Sequence, residues 1–308
     1  MHRGLCAWLA TFGRQPARYD ACSAQFLPET ATTHRTKRRR ADKHSTQPLR
    51  RNQGFTAPRA TDAASSVTDR FPPRYSPSSM GKSVVIVNTS AGSMGGRPTG
   101  VWLSELADPY YAFQAAGLEV TVASIAGGAI PIDANSMGDP YFGDQAKKFM
   151  HDKDAVSALT HSVKVEASMA DKFDCVYLAG GHGCCVDFVG GAAKELKALI
   201  EAAYAKGKIV AADCHGPMGL LECTVGGAPL VKGLEVTAFT NIEEDQAGAT
   251  EWVKGNSVFM EDEFAKLGAV FKKGDPWTAH VCTAGNLITA QNPQSADACA
   301  AAVIAALA

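Results

Sequence analysis

Residues 208–221, KIVAADCHGPMGLL, constrain the chain more than any other stretch. Residues 209–212 are short, apolar and partly β-branched, the composition of a strand buried on both faces of a parallel sheet. The run ends at Asp213, and Cys214-His215-Gly216-Pro217 follows. Gly216 permits a sharp turn, and Pro217 suits the first turn of a helix. A strand that breaks directly into a helix raises the residue at the break to the carboxyl edge of the sheet. Cys214 stands there, as a nucleophile does in a strand–turn–helix elbow. A helix amino terminus at that point lowers a thiol pKa from about 8.5 and offers N–H groups to an oxyanion. An isolated buried cysteine is a small hydrophobe, but the strand, the adjacent histidine and the Gly-Pro turn favour a nucleophile.

The chain around this stretch alternates strand and helix. Apolar runs predict strands at 83–87, 119–124, 175–178, 236–239, 281–282 and 287–289. Helical spacing of apolar residues predicts helices at 101–116, 145–160, 192–205 and 296–307. Alternating βα units of this kind give an α/β fold. It is a three-layer sandwich, with a mostly parallel sheet and helices on both faces, flavodoxin-like in plan. Sites in such folds lie at the carboxyl ends of the strands.

Charge divides the chain. Residues 1–80 carry 14 of the 30 Lys and Arg but only 5 of the 31 Asp and Glu, which leaves 16 basic against 26 acidic residues in the rest. The acidic remainder argues against nucleic acid as a partner of the folded part. Residues 1–80 have no sustained apolar period and carry the basic cluster Lys37-Arg38-Arg39-Arg40. They are expected to be a disordered N-terminal extension or a targeting segment, with the α/β domain over 81–308. Nine cysteines without paired spacing suit a reducing compartment. The expected location is cytoplasmic, or plastid or mitochondrial if the extension is a transit peptide. No apolar run approaches the ~20 residues of a membrane span, so no membrane role is expected.

Three strand ends converge on Cys214. Gly180-Gly181-His182-Gly183 follows the strand at 175–178, so the Gly181 N–H, with that of His215, is a candidate oxyanion hole. His182, next to that glycine, is a candidate pocket residue. Glu105 lies one turn into the helix at 101–116, in apolar surroundings. Glu243-Glu244, after the strand at 236–239, would supply a carboxylate that orients His215. No His, Cys, Asp and Glu set shows metal-ligand spacing, and the Gly92–Gly100 loop lacks a P-loop ending, so no metal and no cofactor is expected.

With these residues laid out, residues 82–308 resemble the ThiJ/PfpI superfamily, which has the class I glutamine-amidotransferase-like fold. The likeness is closest to its branch of stress chaperones and glutathione-independent glyoxalases (glyoxalase III). The segments that carry it are TGVWLSELADPYYAF (99–113), PIDANS (131–136), AGGHG (179–183), ADCHGP (212–217), LVKGLEVTAFTNIEE (230–244) and GNLITAQNPQSA (285–296). The resemblance implies Cys214 as nucleophile beside His215, with Glu105 as the acid hydrogen-bonded to the thiol. Glu244 becomes the third triad member with Glu243 as rival, and Gly181 and His215 supply the oxyanion amides. It implies conversion of small reactive aldehydes, methylglyoxal or glyoxal, the former to D-lactate, by a homodimer. Alternatives are a holdase chaperone, a protein deglycase, or a Cys-dependent amidase or peptidase. Relatives often carry an aromatic where this chain has Cys185-Val186, which implies a wider pocket here.

Overall fold

A computed structural model describes residues 81–308. The expectations for residues 1–80 fall outside the described residues. Seven strands form the central sheet: β1 (Ser83–Asn88), β2 (Glu119–Ser124), β3 (Val163–Lys164), β4 (Cys175–Leu178), β5 (Ile209–Asp213), β6 (Val281–Ala284) and β7 (Leu287–Ala290). Their spatial order is β6-β7-β5-β4-β1-β2-β3. All neighbours are parallel except the β6–β7 hairpin at one edge.

Period-2 alternation splits the strand residues between two cores. Val84, Ile86, Tyr177 and Ala211 face one side, where helices α1 (Leu103–Ala115), α2 (Asp144–His151), α3 (Lys153–Thr160) and α9 (Ala296–Leu307) cover them. Val85, Val87, Leu178 and Ala212 face the other. There the cover comes mainly from α5 (Lys194–Ala205), with α7 (Thr250–Asn256) and α8 (Met260–Lys266) beyond it. Two short helices complete the set: α4 (Cys184–Asp187) after the glycine turn, and α6 (Asn241–Gln246). Both faces of the sheet are therefore buried, which is why its strands read as continuous apolar runs. The expected three-layer α/β sandwich is the observed one.

Four local expectations change. The helix expected at 145–160 is two helices, because the Asp152 carboxylate accepts the N–H groups of Asp154 and Ala155 and so starts a new one. The stretch at 236–239 does not join the central sheet. Only Glu235–Val236 is a strand, and it pairs with Val270–Phe271. Thr237 N–H instead reaches the Thr289 hydroxyl at 2.9 Å. The edge strand β3 carries no apolar run long enough to predict it. Finally, the turn after Cys214 is a five-residue 3-10 helix, Gly216–Leu220, not an α-helix.

Candidate active site

Cys214 follows β5 with φ 52°, in the left-handed region that a non-glycine residue rarely enters. Two backbone bonds hold it there: its N–H donates to Ala290 at the end of β7 (2.9 Å), and its carbonyl accepts from Phe239 (3.0 Å). The strain, on the order of 1–3 kcal/mol, is thus imposed by the end of β7 on one side of the elbow and the segment at Phe239 on the other.

A chain of polar groups leads away from the sulfur. Cys214 Sγ lies 3.3 Å from His215 Nδ1, and His215 Nε2 lies 2.8 Å from Glu244 Oε1. The second oxygen of Glu244 meets His182 Nε2 at 3.1 Å. The two imidazoles lie with centroids 4.0 Å apart, and His182 continues to the Trp252 ring at 5.0 Å. Geometry separates the two glutamates. Glu243 turns the other way. Its Oε1 accepts from Trp277 N–H (2.9 Å) and from the side-chain amides of Gln291 (3.1 Å) and Asn292 (2.7 Å), while its Oε2 caps α6 through Thr240. Glu243 therefore holds the pocket wall, and Glu244 faces the histidines.

Burial opposes the ionisation of Glu244, but His215 and His182 outweigh it and hold its carboxyl at about 2. Burial pushes the His215 imidazole below its usual value, helped by His182, so the ring is neutral near pH 7. Glu105 lies in full burial at the start of α1. Neither of its carboxyl oxygens meets a donor at hydrogen-bonding geometry among the described residues. Burial, then the Asp213 carboxyl, pushes its pKa well up, against the Cys214 thiol and the Gly180 N–H, which favour the ionised form. Glu105 is accordingly a neutral acid beside the sulfur.

The thiol departs from the sequence expectation. Burial, followed by the carboxyls of Glu105 and Asp213, pushes Cys214 up rather than down. Cys214 is 4% exposed, and the helix behind it is a short five-residue 3-10 segment with little dipole to offer. Cys214 is therefore a thiol at rest, with His215 placed to take its proton.

The glycine turn closes the other side. Gly181 has φ 110°, and a Cβ on it would strike the Gly100 carbonyl. Neither the Gly181 nor the His215 N–H donates to a group within the described residues, and both residues line the cavity that contains Cys214. This cavity measures about 350 Å3, and its wall includes Trp102, Tyr141, Phe239, Trp252 and Trp277. The tryptophans at 252 and 277 had no signal in the sequence, since they come from segments far along the chain. Cys185 and Val186 border a separate surface depression near Ser93, so they do not widen this cavity.

Sequence spacing shows no metal set, yet the fold assembles one set of suitable donors. Ligand atoms of His182, His215 and Glu244 lie within 4.8 Å of one another. All three are engaged with each other, and an ion held by His215 Nε2 would fix the ring's proton on Nδ1, the nitrogen that faces the thiol.

A strained cysteine on a strand-to-helix elbow, backed by a histidine and a carboxylate and facing two unused N–H groups, is the arrangement that a cysteine nucleophile in an α/β enzyme calls for. Residues 98–306 match the DJ-1/PfpI family. The chain belongs to that family. It is 32% identical over 216 residues to Glyoxalase 3 of Candida albicans, across 68% of this chain and 91% of the relative. It is likewise 32% identical over 219 residues to the glutathione-independent glyoxalase HSP31 of Saccharomyces cerevisiae, across 69% and 91%. Among solved structures, glyoxalase III from Candida albicans superposes with TM-score 0.66 at 32% identity, over 73% of this chain and 97% of that one. The Rapid Encystment Protein of 24 kDa from Francisella tularensis gives 0.69 at 32% identity, over 74% and 99%.

Proposed function

We propose that this protein is a glutathione-independent glyoxalase that converts methylglyoxal and water to D-lactate. The observation that carries the reading is the Cys214–His215–Glu244 chain with the buried Glu105 beside it, in a family whose similar members include glutathione-independent glyoxalases.

Cys214 sulfur adds to the aldehyde carbon, C1, and its proton passes through His215 Nδ1 to the former aldehyde oxygen, giving a hemithioacetal. Glu244, ionised, stabilises the transient imidazolium. The Gly181 and His215 N–H groups hold the oxygen while it carries charge. His215, neutral again, takes the C1 proton to give an enediolate and returns it to C2, while the C1 hydroxyl proton passes to the C2 oxygen. The outcome is a thioester bearing a 2-hydroxyl group, with no net redox change. Water then adds at C1, the carbon–sulfur bond breaks, and the proton returns to Cys214. Glu105, neutral, donates a hydrogen bond toward the sulfur and so steadies it whenever it carries charge. His182 fixes the second oxygen of Glu244 and forms part of the pocket wall. The cavity volume lies in the range of sites that enclose small organic molecules.

Chiral product analysis tests the reading: the purified protein, treated with EDTA and free of glutathione, should turn methylglyoxal into D-lactate. Absence of lactate, or a racemic product at the uncatalysed rate, would overturn it. A cytosolic homodimer belongs to the same proposal; light scattering that returns a monomer mass would remove the dimer, and an organelle signal from a C-terminal fusion the location.

A further inference from the structure

Asp213 is a buried acid that the steps above do not use. It ends β5, one residue before Cys214, and alternation sends its side chain to the opposite face, toward α1 and α9. It is fully buried, and no lysine, arginine or histidine pairs with it among the described residues. Its Oδ1 accepts the Gly180 N–H at 3.0 Å, and its Oδ2 accepts the Tyr177 hydroxyl at 2.8 Å. A carboxyl with only neutral donors around it is costly to bury, and the apolar pattern of β5 would suit a hydrophobe there.

Its position explains its presence. Gly180 is squeezed between catalytic groups: a Cβ on it would strike the Glu105 carboxyl, the Asp213 carbonyl and the His215 nitrogen. Asp213 pins its N–H, and Trp102 N–H pins its carbonyl at 3.1 Å. In a trans peptide the next N–H points opposite that carbonyl, so the Gly181 N–H is turned away from Trp102 and toward the cavity. The titratable groups facing Asp213 are Tyr177 from β4, Cys184 from α4, Cys214 beside it, Cys299 from α9, and Glu105 and Asp108 from α1.

We propose that Asp213 is a positioning residue that clamps the Gly180 turn to aim the Gly181 N–H at the oxyanion and, as a second carboxyl beside Glu105, keeps Glu105 protonated. The proposal rests on the glyoxalase reading above. Burial pushes Asp213 up to about 8, so its charge develops in the alkaline range where it opposes ionisation of Glu105. Removing that charge lets Glu105 ionise at lower pH.

The test compares Asp213→Asn and Asp213→Ala by steady-state kinetics on methylglyoxal across pH, after wild-type turnover is established. Asparagine keeps an acceptor for Gly180 and an amide against Tyr177. Its kcat should stay within about threefold of wild type, while the alkaline limb of the pH profile moves down. Alanine frees the turn, so kcat should fall by about 10²-fold with KM little changed, the scale of one lost oxyanion donor. A merely structural Asp213 would lower Tm in both variants yet leave kcat of the folded protein and the alkaline limb unmoved, and that result overturns the proposal. Should alanine fail to fold, an unmoved limb in the asparagine variant overturns it alone. A wild-type protein without turnover would instead count against the glyoxalase reading itself.

Discussion

Cys214→Ser should abolish methylglyoxal turnover while the fold and Tm stay near wild type. The loss should be on the order of 10⁴-fold or more, the scale seen when a nucleophile is removed from a triad. The exchange is nearly isosteric, and the two backbone bonds that hold the elbow do not involve the side chain. Serine removes the more acidic and more nucleophilic thiol, the atom that adds to the aldehyde in the proposed mechanism. A holdase chaperone would be indifferent to the same change, since suppression of client aggregation depends on apolar surface. Aggregation and lactate assays on one preparation therefore separate the two. Lactate from the serine variant would remove Cys214 from the mechanism. The wild-type thiol has a matching signature: its alkylation by iodoacetamide should climb only above neutral pH, because burial pushes its pKa up. A plateau already at pH 6 would mean a preformed thiolate and return the helix-dipole account.

The second large effect is at Glu105. Glu105→Leu should lower kcat by about 10²–10³-fold, because it removes the acid that faces the sulfur most directly. Glu105→Gln keeps a donor without an ionisable proton. It should retain most of the lost activity and abolish the alkaline limb. The sign follows from burial: the folded-state pKa of Glu105 is raised, so its donor role is intact at neutral pH and is lost as pH rises through that value. The acid limb has a different source. His215 is pushed below its ordinary value, so the base survives to a pH lower than a free imidazole would allow. If Glu105→Gln proves as inactive as the leucine variant, Glu105 itself moves the proton between C1 and C2, and His215 loses that role.

Local sequence carried much of this site. Residues 209–217 alone specify a buried strand, a sharp stop and a thiol at the break, because β-branched residues, Gly216 and Pro217 act on their own backbone. The same local rules place β1, β2, β4 and α9 close to their observed bounds, and the family pattern points to Glu105, Gly181, His182, His215 and Glu244. Tertiary structure decided the rest. Glu243 and Glu244 are adjacent and chemically identical in sequence; only the approach of Trp277, Gln291 and Asn292 from one side and of His215 and His182 from the other assigns their tasks. The strand expected at 236–239 lost its place when Thr289 and Cys214 took its hydrogen bonds. The charge state of the thiol was out of reach for the same reason. A local helix end argues for a thiolate, but desolvation depends on everything packed around the sulfur, and that sum exists only once α1, the Gly180 turn and β5 have met.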